Sequence, residues 1–349
     1  MKVMILIPSY YTYMATLSSA FNHLGCDVFF VDWEKEMPQH YYKIHKKTCG
    51  ISNKVSQLQQ HYVHEWSNKL YNKRYSEIEP DLVIVYNNQK ILPETLRKFK
   101  ANGSRIAFLL GDHPLYSKTS QYNLEILFYS DCTISPDSGW LEDLERMGIP
   151  NLRLDFLANS PEDFFNTSVV PDNYRVKYES SILYIGRTYN NSDGYKRALF
   201  LSNFTKLGLK LFGEGKWSRW LDMFPDLKKC YNPIESRIRP IEYNYALNCC
   251  KCLPVDINSG FRNGIHMRVF EAISAGTFPL VEWTKDLEDL FGDSMLYIKN
   301  YADAGILADY VLRNEREREE RCSSMKEIIR LYTPHQFVAR LIDQIGLGT

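Results

Sequence analysis

The residues best suited to chemistry stand in residues 261–281, FRNGIHMRVFEAISAGTFPLV. Asn263 is a favourable N-cap type and Gly264 keeps a first helical turn open to close approach, so a short helix is expected from there. Val269, Phe270, Ala272 and Ile273 give that helix apolar faces, Gly276 sits where a left-handed C-cap belongs, and residues 277–281 read as a strand. A helix start with free amides and Arg268 beside it suits an anion such as phosphate. Glu271, further in, can accept bonds from sugar hydroxyls. The competing account makes Arg268 and Glu271 a solvated helix face.

A second anion-ready geometry lies at residues 181–186, SILYIG, a strand that ends in Gly186 and is followed by Arg187. A polar loop then leads into a helix. Arg187 can meet a phosphate bidentately, and Lys196 or Arg197 can add a second cation. In the N-terminal half, residues 105–110 read as a buried strand running into Gly111, Asp112, His113 and Pro114. The carboxyl end of a parallel strand faces the crevice where such sheets bind ligands, which makes Asp112 and His113 the catalytic candidates there. Ordinary turn chemistry before a proline is the bland alternative. His61 and His64 have a spacing that could serve a metal, but no third ligand stands with them, and a wet helix face is the better account. Cys249, Cys250 and Cys252 lack a second pair or a histidine couple, so no metal is expected.

Over the whole chain, 349 residues allow two domains of ordinary size, each with its own core. The 42 basic and 42 acidic residues balance, which argues against a nucleic-acid protein. The 24 Tyr, 18 Phe and 6 Trp are compatible with sugar handling, though aromatic residues more often fill cores. Residues 1–8 form a short apolar run without the length or cleavage site of a signal peptide, and read as a first strand. No apolar run approaches the ~20 residues that span a bilayer, which leaves peripheral membrane contact open. Eight cysteines without a disulfide framework fit reduced thiols and a cytoplasmic location.

Strand 2–7, helix 13–24 and strand 27–31 make an opening β-α-β unit, but its first loop, Pro8-Ser9-Tyr10-Tyr11, is no G-x-G-x-x-G fingerprint, which disfavours an NAD enzyme. Residues 34–76 are polar and aromatic, with no strand pattern and weak helical periodicity over 55–75. Strand 81–86 ends in Asn87 and Asn88, helix 92–102 stops at Gly103, and strand 132–135, helix 138–147 and a strand near 152–156 complete the half. Residues 158–180, with Asn159 and two prolines, read as a linker. A second β-α-β series starts at 181 and includes strand 210–213, helix 242–250 and strand 252–256. Residues 285–291, 314–330 and 336–346 are further helices, the second a charged and solvated one.

Arg268-Val269-Phe270-Glu271, followed by Ala272 and Ala275-Gly276, resembles the C-terminal signature of group 1 glycosyltransferases of the GT-B fold, with the CgeB-like branch the nearest match. The resemblance runs from about residue 181 to 341 and is architectural only before that. It implies an α/β chain of two doubly wound, Rossmann-like domains facing a central cleft. An acceptor domain, 1–157, would regain the C-terminal helix 335–349; after the linker, 181–334 would bind the nucleotide-sugar. It further implies that Glu271 holds the ribose, that the amides around Ile265 and His266 meet the diphosphate, and that Gly186, Arg187 and Lys196 (or Arg197) clamp it. Tyr231, Asn232 and Ile234 would neighbour the base. The family carries two glutamates eight positions apart, and Asn263 stands where the sugar-binding one is expected. The implied activity is metal-independent transfer of a sugar from a nucleotide-sugar donor to a hydroxyl of a glycan, lipid-linked or protein acceptor, with no nucleic-acid partner. Asp112 would be the general base of an inverting reaction; in a retaining one, Asp112 and His113 would position the sugar. The alternatives are a nucleotide-sugar epimerase or hydrolase on the same fold, or a catalytically silent nucleotide-sugar-binding protein.

Overall fold

In the computed structural model the described residues are 1–9, 13–48, 52–87, 89–115, 124–158, 161–234 and 238–347. Tyr10, Tyr11, Asn88 and Asn159, named above, lie outside them. The chain divides into two compact units, Met1–Phe156 with Pro334–Thr349, and Leu157–Thr333.

The first unit is built on strands β1 (Lys2–Leu6), β2 (Asp27–Val31), β3 (Leu82–Tyr86), β4 (Arg105–Leu109), β5 (Cys132–Ser135) and β6 (Leu152–Leu154). They form one parallel sheet in the order β2-β1-β3-β4-β5-β6. All five residues of β3, LVIVY, are buried, as a strand covered on both faces requires. Residues 34–76, which carry no strand pattern, turn out to be almost wholly helical: Trp33–Glu36, Gln39–Thr48 and Asn53–Ile78. Local caps decide this where periodicity is weak. Asp32 accepts the amides of Glu34 and Lys35, and Ser52 Oγ accepts that of Val55. Glu79 ends the long helix in the left-handed conformation, at φ 51°. The C-terminal helix Pro334–Gln344 packs on helix Tyr13–His23, where the rings of His335 and His23 meet edge-on at 4.6 Å. Arg340 fastens it by donating to both oxygens of the buried Asp155, at 2.6 and 2.9 Å.

The second unit holds β7 (Ser180–Ile185), β8 (Leu209–Gly213), β9 (Tyr231–Pro233), β10 (Cys250–Val255), β11 (Phe278–Glu282) and β12 (Tyr297–Ile298). Their order is β12-β11-β10-β7-β8-β9, all parallel. The chain winds outward from β7 to β9, then returns to place β10 on the other side of β7. The order therefore reverses between β7 and β10, and ligands of open parallel sheets bind beyond the carboxyl ends of such a strand pair. Residues 158–180 are more structured than a linker reading implies. Asp172–Tyr178 is a helix whose Tyr178 ring is fully buried with Leu183, Ile185, Phe212 and Ala246. The extended part is tied down by Asn244 and Asn248, whose side chains accept the amides of Phe165 and Thr167. Sequence periodicity cannot see such asparagine brackets, because they replace strand pairing with side-chain bonds.

Candidate functional site

The reversal between β7 and β10 brings Gly186 and Arg268 together. A Cβ on Gly186 would stand 2.7 Å from one terminal nitrogen of Arg268 and 3.1 Å from the other, so only glycine lets the guanidinium cross the end of β7. The ring of Tyr184, fully buried in β7, lies beneath it: the centre of the Arg268 guanidinium is 5.1 Å from the ring centroid. The quadrupole of the ring holds the cation while leaving its donors available. No carboxylate of a described residue forms an ion pair with Arg268. A guanidinium always carries its charge, so a half-buried and unpaired one is chemically suited to an anion.

The helix carrying Arg268 is Arg268–Ala275, and this corrects the expectation for Asn263. Asn263 is not an N-cap. It lies five residues before the helix in a loop, with its carbonyl accepting the Asp286 amide at 3.0 Å. The N-cap position belongs to Met267, which makes no side-chain capping bond. His266 does that work instead: its Nδ1 accepts the Arg268 amide at 3.2 Å, which leaves the ring proton on Nε2. Burial, reinforced by the Arg268 charge, lowers the His266 pKa to about 3, so this ring is a neutral donor. The amides of Gly264, Ile265 and His266 donate no hydrogen bond to a described residue. Gly276 ends the helix at φ 79°.

Glu271 sits one turn into the helix and is only 8% exposed. Among the described residues none donates a hydrogen bond to its carboxylate. Burial raises its pKa to about 7, against the pull of Arg268. A nearly buried carboxyl with unfilled acceptor sites matches a partner with hydroxyl donors. Two hydroxyls that sequence reasoning passed over are also buried without partners, those of Thr188 and Tyr243. Thr188 follows Arg187 at the end of β7, and Tyr243 lies where it feels the charges of Arg268 and Glu271. Nothing in their sequence context distinguishes them from core residues.

The remaining cations differ in status. Arg197 is buried and committed, donating through Nε to both oxygens of Asp256 at 2.8 and 3.1 Å and through one terminal nitrogen to the Arg187 carbonyl at 2.6 Å. Lys196 reaches the Ile257 carbonyl and Glu282, each at 2.7 Å, with its side chain 36% exposed. Arg187, 73% exposed at its side chain, pairs with Glu214 at 2.8 Å. Asp256, at the end of β10, thus organises this wall of the site, and the sequence reading missed it. Toward β9, Tyr231 hydrogen-bonds the Gly213 and Glu214 carbonyls at 2.9 and 3.2 Å.

In the first unit, Asp112 and His113 stand at the carboxyl end of β4. The Asn87 amide donates to the Asp112 carboxylate at 2.8 Å, and its oxygen accepts the amides of Gly111 and Asp112 at 2.6 and 3.2 Å. Asn87 holds this clamp in the left-handed conformation, at φ 54°. Partial desolvation raises the Asp112 pKa, while the Asn87 bond opposes the rise. His113 Nδ1 accepts the Leu115 amide at 3.1 Å, and its ring lies 5.5 Å from that of Trp140. His61 and His64 diverge: His61 faces solvent beside Glu65, while His64 is buried against the Gln60 carbonyl. Among the described residues no cluster of three or more His, Cys, Asp or Glu is placed to hold a metal ion.

Residues 196–343 match the protein family described as glycosyl transferase-like. No curated protein matches the sequence. Among solved structures, sucrose-phosphate synthase from Thermosynechococcus elongatus aligns over 100% of both chains at 9% identity, with a TM-score of 0.70. An α,α-trehalose-phosphate synthase (UDP-forming) from Burkholderia xenovorans, in complex with glucose-6-phosphate, aligns over 99% of this chain and 100% of its own, at 10% identity and a TM-score of 0.68. An E. coli trehalose-6-phosphate structure bound with UDP-2-fluoro glucose aligns over 100% of both chains, at 11% identity and a TM-score of 0.66. No helix of the described residues is long and apolar enough to cross a membrane. The chain therefore has the GT-B fold, and its residues 196–343 are similar to the glycosyl transferase-like family.

Proposed function

We propose that this protein transfers a sugar from a nucleotide-sugar donor to an acceptor hydroxyl, and that the donor lies on the second unit beyond the ends of β7 and β10. The observation that carries the reading is the unpaired Arg268 guanidinium crossing Gly186, one turn before the unpartnered Glu271. In this reading Arg268, the amides of Gly264, Ile265 and His266 and the Nε2–H of His266 bind the diphosphate. Glu271 accepts the ribose hydroxyls. Arg187 exchanges its exposed Glu214 partner, and Lys196 its partly buried Glu282 partner, for phosphate oxygens; the first exchange is the cheaper, since exposed pairs contribute only ~0–1 kcal/mol. Asn263, eight positions before Glu271, would face the donor sugar. Arg197 is a positioning residue, because its charge is neutralised by Asp256.

The chemistry proposed is stabilisation of the leaving diphosphate by fixed donors and cations, without a metal. One such donor is worth ~2.7–4 kcal/mol in the transition state. Asp112, with its carboxylate held by Asn87, serves the acceptor hydroxyl as base or, with His113, positions the sugar. The finer placement in a CgeB-like branch rests on the Arg268–Glu271 run and Ala275-Gly276. A uridine diphosphate sugar is the first donor to try, since the E. coli neighbour holds one, and a sugar phosphate the first acceptor, since the Burkholderia neighbour holds glucose-6-phosphate.

The test is release of nucleoside diphosphate from a panel of nucleotide-sugars, with and without acceptors. Acceptor-dependent release and a glycosylated product are expected. Turnover without acceptor would instead indicate an epimerase or hydrolase, and tight donor binding with no product from any acceptor would indicate a silent binding protein.

A further inference from the structure

A different part of the molecule shows a segregation of charge that the sugar chemistry does not use. Between Glu36 and Glu65 the sequence contains no acidic residue, although acidic and basic residues are equal in number over the whole chain. That interval holds four lysines, Lys43, Lys46, Lys47 and Lys54, and four of the eight histidines. It coincides with helix Gln39–Thr48 and the first half of helix Asn53–Ile78, which pack side by side. Lys43, Lys47 and Lys54 are exposed and form no ion pair with a described residue. The contrast with helix Glu315–Ile329 is direct, because there Arg316, Arg318 and Arg321 each pair with a glutamate of the same helix.

The same two helices expose large apolar side chains at helical spacing. Tyr41 and Ile44 lie three apart on the first; Val55, Leu58 and Tyr62 lie at i, i+3 and i+7 on the second. Ile44 is 53% exposed and Leu58 72%. The rings of Tyr41 and Tyr62 stand 5.8 Å apart, which joins the two rows into one patch. Single exposed apolar residues need no explanation, but a contiguous group does. Apolar side chains that can enter an acyl boundary, ringed by unpaired lysines, are the combination that lets a helix lie in a membrane interface. A nucleic-acid backbone would use the lysines and leave Leu58 and Ile44 without a role.

We propose that this helical pair is a docking surface for an anionic bilayer and holds the first unit at a membrane surface. The experiment is sedimentation of the full chain with vesicles of phosphatidylcholine alone or mixed in equal parts with phosphatidylglycerol. Binding only to the anionic vesicles, weakened by salt, is expected. The double variant Lys43→Gln/Lys47→Gln should lose partitioning on the order of 30-fold. Ile44→Ser/Leu58→Ser should lose at least ~10-fold, with melting temperature and nucleoside diphosphate affinity unchanged, because these side chains are exposed. Three results would overturn the proposal: no partition of the native chain onto anionic vesicles, equal binding to neutral ones, or variants that bind like the native chain. Binding to heparin or duplex DNA that survives Ile44→Ser/Leu58→Ser would assign the lysines to a soluble polyanion instead.

Discussion

Glu271→Gln separates what the buried carboxyl costs the fold from what it supplies to binding. Its pKa stands at about 7 in the folded chain against 4.5 for the free side chain. The folded state therefore keeps this proton over a range where the unfolded chain has released it. The resulting stabilisation is present in acid and is lost as pH climbs from 4.5 through 7. A displacement of about 2.5 pH units at ~1.36 kcal/mol each makes the loss about 3 kcal/mol at full ionisation. Glutamine has similar shape and cannot ionise, so it escapes that loss. Urea unfolding of the ligand-free proteins near pH 4.5 and near pH 8.5 reads the effect. The stability of the variant relative to the native chain should move by about 3 kcal/mol in the variant's favour between the two. Nucleoside diphosphate affinity should change in the opposite sense: the native chain should bind more tightly as pH rises through 7, and the variant should bind roughly 10-fold to 100-fold more weakly at the upper pH, since a hydrogen bond to a charged group is worth ~1.5–3 kcal/mol. A relative stability that does not vary with pH would refute the buried-carboxyl argument. Unchanged nucleotide affinity would refute the ribose assignment.

Other perturbations divide the site by mechanism. Gly186→Ala places a methyl 2.7 Å from Arg268 Nη2, so the guanidinium must move; calorimetry should show nucleoside diphosphate affinity reduced at least ~10-fold, with a small change in melting temperature. Arg197→Ala leaves Asp256 buried and unpaired and should cost ~3–5 kcal/mol in urea unfolding. Lys196→Ala should leave stability within ~1 kcal/mol and raise the donor KM, because its pair with Glu282 is partly exposed. Asp112→Asn should lower kcat for transfer at least ~100-fold with donor affinity unchanged. Asn87→Ala should lower kcat less and move the acidic limb of the pH profile upward, since its bond to the Asp112 carboxylate lowers that pKa.

The strands were legible because parallel strands covered on both faces must be apolar at almost every position, as LVIVY of β3 and SILYI of β7 are. Helix ends were less legible wherever a non-neighbouring contact sets them. Asn263 has the composition of an N-cap, yet His266 takes the amide of Arg268 and the helix starts there. The pairing of Gly186 with Arg268 follows from topology: two residues 82 positions apart meet because β10 returns beside β7. No local pattern encodes that. Asp256 and Asn87 escaped notice for a related reason. Each acts through another residue, Asp256 on Arg197 and Asn87 on Asp112, and carries no motif of its own.

The choice between Lys196 and Arg197 shows how much the fold adds to residue type. Adjacent on one helix, both are cations and both follow Arg187 at a plausible distance. Successive helical positions point about 100° apart, so they cannot share an environment. Arg197 turns to the sheet, where its planar fork spans Asp256 and the Arg187 carbonyl and fixes the end of β7. Lys196 turns toward Ile257 and Glu282 and keeps a flexible, partly solvated ammonium. A buried, doubly bonded pair cannot release its cation without leaving a charge unpaired in a poorly hydrated place, whereas a partly exposed pair can exchange at little cost. In the proposed donor site the cations open to an anion are therefore Arg268 first, then Lys196 and Arg187, with Arg197 maintaining the frame that holds them.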